Sequence, residues 1–177
     1  MPHPTRPLDL SGTGHCASFN FRRTARAVTR LYDLALQPSG VRSTQFAILV
    51  GIAKTRPVSI SRLGEVLLID PTTLSRSLSL LKRQGLVSIS GRSAKRQRFL
   101  DLTSQGEKAL AAALPEWRKI QQRFVEAVNP EFWQAFRADL ERLSTLVSDL
   151  ERSIAQGRRP GWRGARDRRG RLAKTPG

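Results

Sequence analysis

The chain holds a single cysteine, Cys16, so no intrachain disulfide framework is open to it. Its two histidines, His3 and His15, lie near the start, and no His/Cys/Asp grouping has the spacing of metal ligands. The adjacent His15 and Cys16 make only half of such a site. No glycine-rich phosphate loop follows a strand-like run, and the carboxylates scatter along solvent faces. An enzyme, a metal centre and a resident cofactor are therefore not expected. There is no run of 18 apolar residues, which argues against a helical membrane span. The first residues also lack the charged-then-apolar layout of a signal peptide, so the expectation is a soluble cytoplasmic protein. Aromatic residues make up 6% of the sequence, too few for stacking platforms that hold single strands. Acidic residues are scarce as well: 14 Asp and Glu face 31 Lys and Arg, a formal net charge of +17. Such a balance favours a polyanionic partner, whether DNA, RNA or an anionic membrane surface.

What the chain does have is concentrated in residues 58–101, VSISRLGEVLLIDPTTLSRSLSLLKRQGLVSISGRSAKRQRFLD. The stretch opens as two short helices joined by a tight turn. Ser59 or Ser61 can cap the first, and Ile60, Leu63, Val66 and Leu67 supply its apolar stripe. Gly64 interrupts that stripe, which makes sense if the next helix packs close against it. In the second helix Asp70 is a good N-cap and Pro71 occupies the first helical position, where its missing N–H costs nothing. Leu74, Leu78 and Leu81 recur at i, i+4 and i+7 and line one face. Thr72, Thr73, Ser75, Arg76 and Ser79 fall mostly on the other. Gly85 suits a C′ glycine, with Leu86 closing the cap. Short hydroxyls let a helix approach base edges and phosphates, and an arginine can fork onto a guanine in the major groove. The same face also fits an ordinary amphipathic surface helix. Context decides between them: residues 86–90 and 97–102 alternate apolar and polar like a half-buried hairpin, and its tip carries Arg92, Lys95 and Arg96. The ordered set reads as a winged helix-turn-helix that binds double-stranded DNA.

Around this stretch the expected fold is mainly helical, with the small β-hairpin wing and long terminal dimerisation helices. Residues 1–15 read as a flexible arm. A helix spans about 17–37, with Phe21, Val28 and Ala35 every seven residues and Ala25, Leu31 and Tyr32 filling the stripe. Pro38, Ser39 and Gly40 break it. Ser43 can cap a short segment whose core side is Phe46, Leu49, Val50 and Ile52. After the hairpin, Thr103 caps a long helix in which Pro115 introduces a kink rather than an end. Asn129 and Pro130 open the last helix, where Phe132 or Trp133, Phe136, Leu140, Leu143, Val147, Leu150 and Ile154 form a narrow seam suited to helix association. Residues 16–156 thus form the folded domain. Residues 157–177 hold eight basic residues against one aspartate, five glycines and two prolines, and read as a disordered basic tail able to track phosphates.

The order of these helices, the capped second helix of the pair, the Gly85-Leu86-Val87 that closes it, the basic wing and the Leu102-Thr103-x-x-Gly106 entry to a long helix resemble the MarR family of bacterial transcriptional regulators. The similarity covers residues 16–154. It implies a homodimer built on the first and last two helices, with each recognition helix in a major groove of a near-palindromic operator. It also implies a minor-groove role for Arg96, seven residues before Thr103. Where the family usually carries an aspartate two residues earlier, this chain has Ala94, so no carboxylate there restrains the arginine.

The expected function is a homodimeric transcriptional regulator, and a repressor rather than an activator. Two modes of control stay open. A small, aromatic ligand can bind between the winged domain and the dimer helices, with Phe19, Phe21, Phe46 and Trp117 as lining residues; these aromatics equally fit a core. Alternatively Cys16, at the start of the first helix, can act as a redox sensor. One branch of the family senses organic hydroperoxides with a cysteine in this region. Aligned on Tyr32 and Gln45, however, Cys16 falls slightly too early, and Tyr32 is the only tyrosine, so the partner tyrosines of that branch are missing. A small, partly buried residue at the dimer interface is the preferred reading of Cys16. The rival from another class is a basic RNA- or ribosome-associated structural protein.

Overall fold

The structure is a computed structural model that describes residues 8–91 and 98–157. Six α-helices and three strands follow in the order α1 (Ala17–Leu36), α2 (Ser43–Thr55), β1 (Val58–Ser59), α3 (Ile60–Leu67), α4 (Pro71–Arg83), β2 (Val87–Gly91), β3 (Arg98–Leu102), α5 (Ser104–Val128) and α6 (Pro130–Ala155). The chain forms two compact units, Met1–Phe124 and Val125–Gly177, with α5 running across the boundary.

Residues 8–15, expected as part of a flexible arm, include a 3-10 turn at Thr13–His15, closed by the Thr13 hydroxyl on the Leu10 carbonyl. Cys16 is the N-cap residue of α1. The stripe of α1 becomes buried only toward its end: Phe21 is exposed, Val28, Tyr32 and Ala35 are half-buried, and Leu36 is fully buried. Gly40 then reverses the chain at φ +68°, a left-handed conformation that glycine adopts without steric cost.

Ser43 is not the cap of α2. Arg42 holds the N-cap position, and its N–H donates to the side chain of Gln45 at 3.0 Å. Ser43 is the first helical residue, and both its N–H and its hydroxyl donate to Asp33 of α1, each at 2.7 Å. A carboxylate from a different helix therefore satisfies the start of α2.

The core of the first unit gathers Phe46, Ile48, Leu49 and Ile52 of α2, Leu63 of α3, Leu74, Leu78 and Leu81 of α4, and Val58, Val87, Leu100 and Leu102 of the sheet. The sheet has the order β1-β3-β2, all antiparallel. Val87 opposes Leu102 and Ile89 opposes Leu100, so one face of the hairpin is apolar while Ser88, Ser90 and Asp101 are exposed. β1 was not expected. Two residues are too few to show a period, and only pairing with β3 defines it. In α3, Val66 stands 46% exposed, so the apolar stripe is carried by Leu63 with half-buried Ile60 and Leu67.

α5 continues through Pro115 without ending, as the pattern predicts. Asn129 caps α6 by accepting from the N–H groups of Glu131 and Phe132. No residue of α6 is buried, and Phe132, Phe136, Leu143, Leu146, Val147, Leu150 and Ile154 are all exposed. Among the described residues no helix is long and apolar enough to cross a membrane.

Candidate nucleic-acid interface

The site is built on α4. Asp70 accepts from the Thr73 N–H at 2.9 Å, and Pro71 sits at the first helical position. Hydrogen bonds from the Thr73 hydroxyl and N–H hold the Asp70 carboxyl below its ordinary range, so the cap is charged at neutral pH. At the other end the Leu86 N–H donates to the Leu81 carbonyl and the Gly85 N–H to the Lys82 carbonyl, a Schellman closure with Gly85 at φ +69°. Leu74, Leu78 and Leu81 are buried to within 2% and fix the rotation of the helix about its axis. That rotation turns Thr72, Thr73, Ser75, Arg76 and Ser79 outward, all exposed.

These side chains are not equally available. The Ser79 hydroxyl donates back to the Ser75 carbonyl at 2.8 Å, so its proton is committed to its own helix and it retains only acceptor capacity. Among the described residues no ion pair engages Arg76. Lys82 and Arg83 belong to the same face, forming one shallow surface with Ser75, Arg76 and Ser79. Neither was singled out from the sequence, although Ser75, Ser79 and Arg83 are spaced at i, i+4 and i+8. A basic last turn also complements the helix dipole, which masked the signal.

Ser59 serves first as a structural cap. It is half-buried, accepts from the Arg62 N–H at 3.2 Å and lies 3.3 Å from the Ser61 hydroxyl. The turn between α3 and α4 is tight: a Cβ on Gly64 would come within 3.2 Å of the Ile69 carbonyl and 3.4 Å of Leu74. Glycine there lets the two helices approach, as the sequence suggested. Arg92, Lys95 and Arg96, and with them Ala94, lie outside the described residues, as does the basic tail from residue 158.

The proposed pocket aromatics separate into two pairs. Phe46 is buried and stacks on Trp117 with ring centroids 5.8 Å apart, as part of the core. Phe19 and Phe21 stand 58% and 49% exposed on the first half of α1. Cys16 is exposed beside them in sequence. Among the described residues no three His, Cys, Asp or Glu side chains could hold a metal ion.

Behind α4, polar contacts set the frame. Asp33 takes the two hydrogen bonds from Ser43 and lies 3.7 Å from Arg42. Burial works to raise its carboxyl, but the Ser43 N–H, the Ser43 hydroxyl and Arg42 outweigh it and hold the group below the ordinary value of 3.8. A carboxyl lowered on folding contributes stability that is present above its unfolded pKa and lost as the pH falls through the folded one. Asp33→Asn, which keeps one acceptor and loses the charge, is therefore expected to lower Tm by a few degrees at pH 7. The gap to the wild type should close below about pH 4. Thermal melts at pH 7 and pH 3 check this, and a gap of equal size at both would contradict it.

A short capped helix, a tight turn, a second helix with a polar basic outer face and an antiparallel hairpin define a winged helix-turn-helix protein. A family model described as the MarR family matches residues 39–98, which span this unit. The Escherichia coli transcriptional regulator HosA is 32% identical over 116 residues, covering 65% of this chain and 81% of HosA. The chain belongs to the MarR family, whose members regulate transcription and are not enzymes. The M. tuberculosis transcriptional regulator MosR, solved in complex with DNA, is similar with a TM-score of 0.71 and 33% identity, covering 76% of this chain and 98% of MosR. The PcaV regulator from Streptomyces coelicolor, solved with its natural ligand, shares the fold at a TM-score of 0.65 and 22% identity, over 79% of this chain and 97% of PcaV.

Proposed function

We propose that this protein binds duplex DNA as a homodimer, represses transcription and is released by a small aromatic ligand. The observation that carries the proposal is the outer face of α4, where hydroxyls and Arg76 project from a helix whose rotation and both ends are fixed. A helix so held can enter a major groove, with its hydroxyls on phosphates and base edges and Arg76 forked onto guanine. Lys82 and Arg83, and by sequence Arg92, Lys95, Arg96 and the tail, add the charge that displaces counterions from the backbone. The dimer is supported by α6, where Leu143, Leu146, Val147, Leu150 and Ile154 stand exposed along the helix. A dimer seated on an operator blocks other proteins from the same duplex, which is the basis for repression. Ligand control is supported by PcaV, a protein of the same fold solved with its natural ligand.

Selection of bound sequences from a random duplex pool tests the reading. The expected product is a near-palindrome with half-sites about one helical turn apart. On that duplex, Arg76→Ala should cost about 1–3 kcal/mol and relax the preference at one base position in each half-site. Equal weakening on all sequences would reduce Arg76 to a phosphate contact. Stronger binding to single-stranded RNA than to duplex, at matched salt, would favour an RNA-associated role instead.

A further inference from the structure

We infer that Gln45 and Gln84 form a positioning link that fixes the C-terminal end of α4 against the start of α2, and so sets how the helix is presented to DNA. The inference rests on the reading of α4 as the DNA-reading helix. Gln45 is 7% exposed, the one polar side chain among the described residues that is buried. Both ends of its amide are used. Its oxygen accepts the Arg42 N–H at 3.0 Å, and its nitrogen donates to the Gln84 side-chain oxygen at 2.9 Å. The backbone donor at Arg42 requires the amide oxygen on that side, which leaves the NH2 group facing α4. Glutamine thus meets a donor and an acceptor at once, which neither a carboxylate nor an apolar side chain of that length does.

The link belongs to a longer path. Asp33 of α1 holds Ser43, beside Arg42 at the start of α2. Gln45 then reaches Gln84, the C-cap residue of α4. The next residue, Gly85, offers its carbonyl to the Thr103 hydroxyl, which also accepts from the Gly106 N–H in the first turn of α5. The last turn of α4 is therefore gripped by side chains from two other elements. Its first turn is held by its own cap, Asp70, and by Leu74, which is buried beside Gly64 of α3. The buried leucines set the rotation of α4, and the Gln45–Gln84 bond adds a polar anchor at its C-terminal end that limits how far the face carrying Thr72, Thr73 and Arg76 can tilt.

The test compares affinity for the selected near-palindromic duplex with affinity for a scrambled duplex of the same composition, at one salt concentration, for the full-length protein. Gln84 is exposed, so Gln84→Leu should fold normally while losing the link. Its ratio of specific to non-specific affinity should fall about five- to tenfold, the size of one lost part-buried hydrogen bond. Gln84→Glu still accepts from Gln45. It should weaken binding to both duplexes through its charge, yet hold the ratio within about twofold of the wild type. Gln45→Met should lower the ratio as Gln84→Leu does, and the double variant should fall no further, because the two residues share one interaction. A ratio unchanged in Gln84→Leu and Gln45→Met, with only Tm altered, would overturn the link and leave a structural role. So would additive losses, or Gln84→Glu behaving like Gln84→Leu. If the wild type itself showed no preference between the duplexes, the reading of α4 would fail, and the link with it.

Discussion

Gly106→Ala is expected to destabilise the first unit more than any other single methyl addition at a described glycine. A Cβ at this position would stand 1.9 Å from the Leu86 carbonyl oxygen and 2.9 Å from its carbonyl carbon. Both are backbone atoms, so no rotamer change relieves the clash. Either α5 must withdraw or the chain leaving α4 must shift. The same place holds the Thr103 N–H on the Leu86 carbonyl and the Thr103 hydroxyl on the Gly85 carbonyl, and a shift strains both. Overpacking of this kind costs about 1–3 kcal/mol and more when rigid groups collide. A loss of about 3 kcal/mol corresponds to a Tm lower by roughly 10 °C for a unit of this size. Gly14→Ala is the control, because nothing lies within 4 Å of a Cβ there. Equal melting temperatures for the two variants would show that the contact between α5 and Leu86 is not as close as the structure places it.

Under the proposed dimer, Val147→Glu is expected to convert the protein to a monomer in solution. Val147 stands 58% exposed on α6, so a carboxylate there leaves the fold of one chain intact. In a two-fold interface the substitution occurs twice, and each copy removes an apolar contact and buries a charge. The monomer retains one recognition helix and loses the gain from engaging two half-sites together, so affinity for the palindromic duplex should drop about a hundredfold or more. Sedimentation equilibrium and titration of the selected duplex check both parts. A variant that sediments as a dimer with wild-type affinity would remove α6 from the interface.

Helix α4 was legible in the sequence because every signal that defines it acts within a few residues. Asp70 caps Thr73, Pro71 follows, three leucines share one face, and Gly85 and Leu86 close the end. The hairpin was legible for the same reason, since alternation in residues 86–90 and 97–102 states which side chains are inward. Lys82 and Arg83 were visible but ambiguous, because a basic last turn suits any helix. The sorting of the aromatics was not legible. Helical spacing gives Phe21 and Phe46 similar standing, yet one is exposed on α1 and the other is stacked on Trp117, 71 positions further along the chain.

By itself, the sequence determined the order of the helices, the cap and apolar face of α4, and a net charge that favours a polyanionic partner, because propensity, capping and net charge are properties of neighbouring residues or of the whole composition. Only the tertiary structure decided that Asp33 rather than Ser43 satisfies the start of α2, that Val58 and Ser59 form a strand, and that Gly106 is required by the Leu86 carbonyl. It alone paired Gln45 with Gln84. Each of these is a contact between segments far apart in sequence. A glutamine or a glycine carries no mark of its distant partner until the chain folds and brings a donor to an acceptor, or one backbone against another.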